Sequence, residues 1–248
     1  MFARDVAPGI HRIEDNHTNW YLVEDGGRLT VVDAGIPPSW RSLHDALGAL
    51  GRTPGDLDAL ILTHAHFDHI GMAERVRGQL GLDVWVHERD VHLTRHPRDY
   101  ARERTPLYYV LTKPKALPIV AGFVATRAFW PTPIEDVRTF TEHDATLGVA
   151  GAPRIVFTPG HTYGHVAFHF PDRDTVIAGD AVVTLNPYTG GRGPQIVAKG
   201  ATADSRCNLE RLDALAATGA RTVLTGHGEP WRDGAEAIVE RARAAGTS

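Results

Sequence analysis

Short runs in which apolar and polar residues alternate give way repeatedly to stretches with apolar residues every three or four positions. "GIHRIE" (9–14), "NWYLVEDGGRLTVVDAG" (19–35) and "DALILT" (58–63) read as strands, the second folding back at Asp25-Gly26-Gly27. Pro37-Pro38-Ser39 stops this pattern and opens a helix over 39–50, where Leu43, Leu47 and Leu50 share one face before Gly51. A second helix fits 70–80. Strands are then predicted at 83–87, 154–158, 165–170, 174–180 and 221–226, and helices at 203–217 and 234–245. No internal repeat or low-complexity tract interrupts the series.

Residues 95–138 break the pattern. This segment has prolines at 97, 106 and 114 and six aromatics, Tyr100, Tyr108, Tyr109, Phe123, Phe129 and Trp130. It carries eight Lys or Arg against four acids, so it is locally +4 in a chain of net charge −4. It reads as a helical insertion into one domain spanning 1–248. Its centre, "ALPIVAGFVATRAFW" (116–130), is apolar nearly all round yet too short to cross a bilayer. A buried helix, a lid over a substrate site and a homodimer interface are the three readings it allows.

Composition narrows the function classes. A chain of 248 residues suits one layered domain. The acidic balance offers no global attraction for nucleic acid or an anionic membrane. There is no membrane span and no apolar leader in "MFARDVAPGI", so a soluble cytoplasmic protein is expected. Cys207 is the only cysteine, which excludes a disulfide framework and a cysteine-rich zinc knuckle. A metal would have to be held by His and carboxylate, and the chain has 14 histidines.

"LTHAHFDHIG" (62–71) places three of them and an aspartate within six positions, directly after a strand. A tight loop at a strand end fixes the backbone, so that His64 and His66, two apart, point toward one metal while Asp68 and His69 turn toward a second. A solvated histidine-rich turn feeding a helix is the bland alternative. His161 in "TPGHTYGH", Asp180 in "IAGDAV" and His227 in "LTGHGEP" each end a predicted strand as well. His165 and Asp33 are expected to support the ligands rather than to bind metal. His17 and Asn19 are the strand-edge candidates to face the site. The remaining histidines have no spacing argument.

With these residues in order, the sequence resembles the metallo-β-lactamase superfamily, whose His-x-His-x-Asp-His signature is matched by His64, His66, Asp68 and His69. The resemblance runs from about "TVVDAG" to "GHGEP" and leaves out only 95–138. It implies an α+β four-layer αβ/βα sandwich with metals at one edge between two sheets. It also implies His64, His66 and His161 on one ion, Asp68, His69 and His227 on the other, and Asp180 between them. Two zinc ions are the expected cofactor, with iron or manganese as the alternative. Ions about 3.5–4 Å apart can hold a hydroxide at neutral pH, and Asp68 is the candidate to handle its proton.

Departures from familiar members narrow the activity. No cysteine stands where antibiotic-hydrolysing members place one, only 21 residues follow His227, and no RNA-binding arm is evident. The expectation is therefore a hydrolase of a small-molecule ester, lactone or thioester, with Tyr188 as a candidate hydrogen-bond donor to the substrate. A mononuclear iron enzyme similar to persulfide dioxygenases, and a phosphodiesterase, are the alternatives.

Overall fold

In a computed structural model covering residues 1–248, seven strands form one sheet: β1 (Phe2–Ala7), β2 (Ile10–Asp15), β3 (Thr18–Asp25), β4 (Arg28–Val32), β5 (Leu57–Ile61), β6 (Val84–His87) and β7 (Arg138–Phe140). They pair in chain order, antiparallel from β1 to β4 and parallel from β4 to β7. A second sheet holds β8 (Arg154–Phe157), β9 (Val166–Phe170), β10 (Thr175–Gly179) and β13 (Thr222–Thr225), in the order β13-β10-β9-β8. A separate hairpin joins β11 (Val183–Leu185) to β12 (Arg192–Gln195). The helices are α1 (Ser39–Leu50), α2 (Ala73–Leu80), α3 (Val91–Arg95), α4 (Pro106–Thr112), α5 (Leu117–Ala125), α6 (Ser205–Ala216) and α7 (Ala235–Ala245).

Strand alternation produces the four layers. Trp20 and Leu22 of β3 and Leu29 and Val31 of β4 pack outward with Leu43 and Leu47 of α1 and Val76 of α2. Their neighbours Tyr21, Val23 and Val32 point the other way, where they meet Val166, Phe168 and Ile177 of the second sheet. On the far side of that sheet, Ala167, Val176 and Ala178 pack against Leu212 and Leu215 of α6 and Ile238 of α7. The result is the expected αβ/βα sandwich. No helix is long and apolar enough to cross a membrane.

The sequence reading needs correction at several places. β1 has no counterpart in it, because Asp5 has φ 50° and breaks the strand's register against β2, leaving only Val6 and Ala7 buried. β11 and β12 form a hairpin between 183 and 195, where no strand was predicted. α2 starts at Ala73 instead of 70: the Gly71 N–H is already bonded to the Gly35 carbonyl at 2.7 Å, and a side chain at Gly71 would lie 2.1 Å from the Ile36 backbone. The apolar run 116–130 is not one buried helix. α5 ends at Ala125, where Thr126 Oγ1 caps the Gly122 carbonyl at 2.7 Å and Arg127 turns left-handed at φ 56°. α5 buries Ile119 and Phe123 but exposes Leu117 and Val124.

Candidate active site

Four connections bring the site together. β5 continues through Leu62 and Thr63 into the 64–69 loop, β8 and β9 are joined by the loop carrying His161, and Asp180 and His227 follow the parallel strands β10 and β13. Backbone hydrogen bonds stitch the two sheets at this edge: Val166 N–H donates to the Thr63 carbonyl at 2.9 Å and Asn19 N–H to that of Gly226 at 2.7 Å. The ligand loops are therefore held by the framework and do not float above it.

All seven predicted ligands are buried within one cluster. The donor atoms of His64, His66 and His161 lie within 4.8 Å of one another, and so do those of Asp68, His69 and His227. Asp180 Oδ2 stands 3.4 Å from His161 Nε2 and 3.3 Å from His227 Nε2, and so touches both groups. Asp33, His64 and His69 also converge, but the Asp33 carboxylate is engaged elsewhere. It accepts the Thr63 N–H at 2.8 Å, the Thr63 hydroxyl at 2.9 Å and His69 Nδ1–H at 3.1 Å. Asp33 itself sits at φ 63°, a conformation aspartate tolerates better than most residues.

Hydrogen bonding at Nδ1, on the outer side of each ring, sets its orientation. His69 Nδ1 faces a carboxylate and must donate. The Thr63 hydroxyl, committed to Asp33, accepts from His64 Nδ1 at 3.0 Å. The Thr202 hydroxyl donates to the Val197 carbonyl at 2.8 Å and so accepts from His161 Nδ1 at 3.4 Å. His227 Nδ1 donates to the His17 carbonyl at 2.7 Å. In every case the Nδ1 proton sits on the outer side and Nε2 faces the cluster. Nε2 of His64, His66, His69 and His161, together with Asp180 Oδ1, are buried without a hydrogen-bond partner. Five such atoms in one cluster are costly unless a cation receives them, so the residues fit a metal centre.

The electrostatics point the same way. Burial lowers the pKa of His64, His66 and His161, that of His66 to about 4, which keeps these rings neutral and able to ligate. At His227 and His69 burial is outweighed by Asp180 and Asp68, and both pKa values rise. Burial alone would raise the carboxyls of Asp180 and Asp68, yet the surrounding imidazoles hold both below the usual carboxylate range. The cluster stabilises positive charge.

His165 does not join the donor groups. Its Nε2 accepts the Asp180 N–H at 3.0 Å and its Nδ1 meets Thr158 Oγ1 at 2.9 Å, which pins the chain at Asp180. His17 contributes only its carbonyl. The Asn19 side-chain amide donates to the carbonyls of Thr225 and Gly228 at 2.9 and 2.7 Å and clamps the His227 loop.

Sequence reasoning missed Asp90, which is buried behind the histidines. It accepts the Ala65 N–H at 3.2 Å, the Thr162 hydroxyl at 2.7 Å and the Gly164 N–H at 2.9 Å, tying the 64–69 loop to the His161 loop. Tyr188 is half-buried, and its hydroxyl lies 3.3 Å from that of Tyr100, whose ring centroid is 4.7 Å from that of His66. Burial raises the Tyr188 pKa well above its ordinary value, so it stays protonated at neutral pH.

A four-layer sandwich with a His and Asp cluster at one edge defines a class, and residues 13–227 match the metallo-beta-lactamase superfamily. The chain belongs to that family and to its metal-dependent hydrolases. It is 26% identical over 243 residues to the probable metallo-hydrolase YflN of Bacillus subtilis, covering 91% of this chain and 86% of that one. The structure resembles the metallo-beta-lactamase family protein TTHA1429 of Thermus thermophilus, with a TM-score of 0.68, 26% identity, and 96% and 79% of the two chains covered. It also resembles TTHA1623, solved in a di-iron-bound form, with a TM-score of 0.64, 25% identity, and 93% and 96% covered.

Proposed function

We propose that this chain is a dinuclear hydrolase of esters, lactones or thioesters, with zinc as its resident metal. The observation that carries the reading is the position of Asp180, whose Oδ2 lies within 3.4 Å of a histidine from each donor group. His64, His66 and His161 would hold one ion, Asp68, His69 and His227 the other, and Asp180 both. When bound, such ions acidify water to a nucleophile near neutral pH and polarise the bond to be cleaved. Asp68, kept ionised by the imidazoles of His69 and His227, is placed to take up a proton at its carboxylate and pass it to the leaving group. Tyr188 holds its hydroxyl proton and can donate a hydrogen bond to a substrate oxygen.

An apolar cavity adjoining the histidines favours a carbon-based acyl substrate over a nucleic-acid phosphodiester. The di-iron relative means that finding iron would not by itself decide the reaction. The test combines elemental analysis of freshly purified protein with a panel of esters, lactones and thioesters and an oxygen electrode. About two ions per chain and hydrolysis without oxygen uptake are expected. One iron per chain with oxygen consumption on a persulfide would overturn the hydrolase reading.

A further inference from the structure

The segment between α3 and β7 builds a cavity of about 440 Å³, within the range of small-molecule sites. Its walls are apolar, with Phe67, Val110, Val120, Phe123 and Trp130 prominent among them. Phe67 lies in the chain between His66 and Asp68, and Tyr100, packed on the His66 ring, faces the same cavity. The cavity and the proposed metal centre thus share a wall.

Two cationic side chains, Arg98 and Arg102, join this apolar lining. Arg98, Tyr100 and Arg102 all line the cavity from one stretch of chain that is neither helix nor strand. Of the arginines in the segment only Arg138 is paired, with Asp83 at 2.7 Å, and among those left unpaired Arg98 and Arg102 are the two that line the cavity. No carboxylate lies within ion-pair distance of Arg98 or Arg102, and neither guanidinium donates a hydrogen bond to the protein. Both side chains are exposed at the cavity mouth, and the Arg102 guanidinium sits 5.3 Å over the Tyr100 ring. Stacking orients the fork while leaving its N–H donors free for a planar or tetrahedral anion.

We infer that this cavity binds the apolar tail of an anionic amphiphile, with Arg98 and Arg102 receiving its carboxylate, sulfonate or phosphate group. The substrate class of the site is then an ester or thioester bearing both a hydrocarbon portion and a negative charge, an assignment that rests on the hydrolase reading. The binding site itself does not depend on turnover. A neutral acyl lactone would use the walls and leave the two cations without a partner.

Calorimetric titration of the metal-replete protein with 1-octanesulfonate, 1-octanol and 1-butanesulfonate separates the contributions. Sulfonate is a poor metal ligand, so binding reports the cavity and its arginines. Octanesulfonate is expected to bind about tenfold more tightly than octanol, the scale of one charge-assisted hydrogen bond. It should exceed butanesulfonate on the order of a hundredfold for four buried methylenes. The Arg98→Ala/Arg102→Ala double variant should bring octanesulfonate down to the octanol affinity while octanol binds as before, which also shows that the cavity is intact. Val120→Asp, at a half-buried position, should weaken both octyl ligands with thermal unfolding unchanged. Equal affinities of octanol and octanesulfonate for the unaltered protein would overturn the anion assignment, and octyl binding no tighter than butyl would overturn the cavity. A protein that binds as expected but hydrolyses no ester would refute the proposed reaction and leave this site standing.

Discussion

Gly226 gives the sharpest test of the shared carboxylate. A Cβ built there would lie 2.0 Å from Asp180 Oδ1 and 2.9 Å from His69 Cε1, where ordinary contact begins near 3.4 Å. The backbone cannot yield on either side. Gly226 N–H is bonded to the Gly179 carbonyl at 2.8 Å and its own carbonyl accepts from Asn19, while Asp180 N–H is held by His165 at 3.0 Å. In Gly226→Ala the cheap response is rotation of the Asp180 side chain, which carries its oxygens more than an ångström from their present place. Metal ligands tolerate displacements of only about 0.2 Å. A loss of at least about tenfold to a hundredfold in metal affinity follows, comparable to removing an orienting partner, with an overpacking cost of about 1–3 kcal/mol. Gly226 has no left-handed φ, so the effect is steric alone. The assay is metal content per chain after gel filtration in a competing chelator, read beside urea unfolding. Gly48→Ala is the control: it is exposed on α1 with nothing within 4 Å, and should keep its metals and gain about 0.5–1 kcal/mol of stability. Two ions retained at unaltered affinity in Gly226→Ala would refute a shared Asp180.

Asp68→Ala removes both a proton-transfer group and a donor of the second ion, so kcat should fall by at least about 10²–10⁴ with weakened binding of one ion per chain; steady-state kinetics on a small ester read beside metal content would show otherwise if turnover or both ions were retained. Asp33→Ala removes the acceptor that fixes the His69 tautomer and strands the Thr63 N–H, so metal affinity should fall about 10–100-fold, measured by chelator competition. His165→Ala should leave the metal count closer to normal than Asp33→Ala does, because His165 reaches the site only through the Asp180 backbone. Asp90 is shifted by burial from 3.8 to about 6, against three opposing hydrogen bonds. The native protein therefore takes up this proton before the unfolded chain does, and the residue's contribution to stability is full below 3.8 and withdrawn as pH rises to about 6. Relative to the unaltered protein, Asp90→Asn should remove that decline, seen as a change in the urea-midpoint difference between pH 4 and 7.

The layers were legible because strand alternation in this chain is nearly uninterrupted. Each of β3, β4 and β5 sends successive residues to different cores, so the period of two survives in the sequence. β1 and β7 were not legible: the first is broken at Asp5 and the second has three residues, of which only Phe140 is buried. A single buried helix over 116–130, one of the readings that run allowed, does not form, for a related reason. Uniform apolarity carries no phase, and the ending at Ala125 is set by Thr126 and by the close fit of Gly122 against Asn16.

At the site, the donors were readable and their supports were not, and the difference is physical. A metal ligand must be histidine or carboxylate, so its identity announces itself even without a neighbour, whereas a group that orients a ring nitrogen needs only an oxygen in the right place. Thr63, Thr158, Thr202 and the His17 carbonyl all serve that purpose here, and only the first two carry a local signal. "LTH", "FTPGH" and "LTGH" each place a threonine at a strand end shortly before a site histidine. In the first, the hydroxyl meets the His64 ring; in the second, that of His165; in the third, Thr225 Oγ1 donates to the His227 carbonyl at 2.9 Å. A β-branched hydroxyl residue at such a position satisfies the last strand and the first loop residue together, which is why the pattern recurs. Asp90 has no such signal, since its three partners come from residues 65, 162 and 164 and meet it only in the folded chain. The cavity is the extreme case. Its walls are drawn from Phe67, from residues 98 to 130 and from Pro187-Tyr188, so the same segment that lacked a readable period in sequence acquires a definite chemistry only when the metal loop closes one side of it.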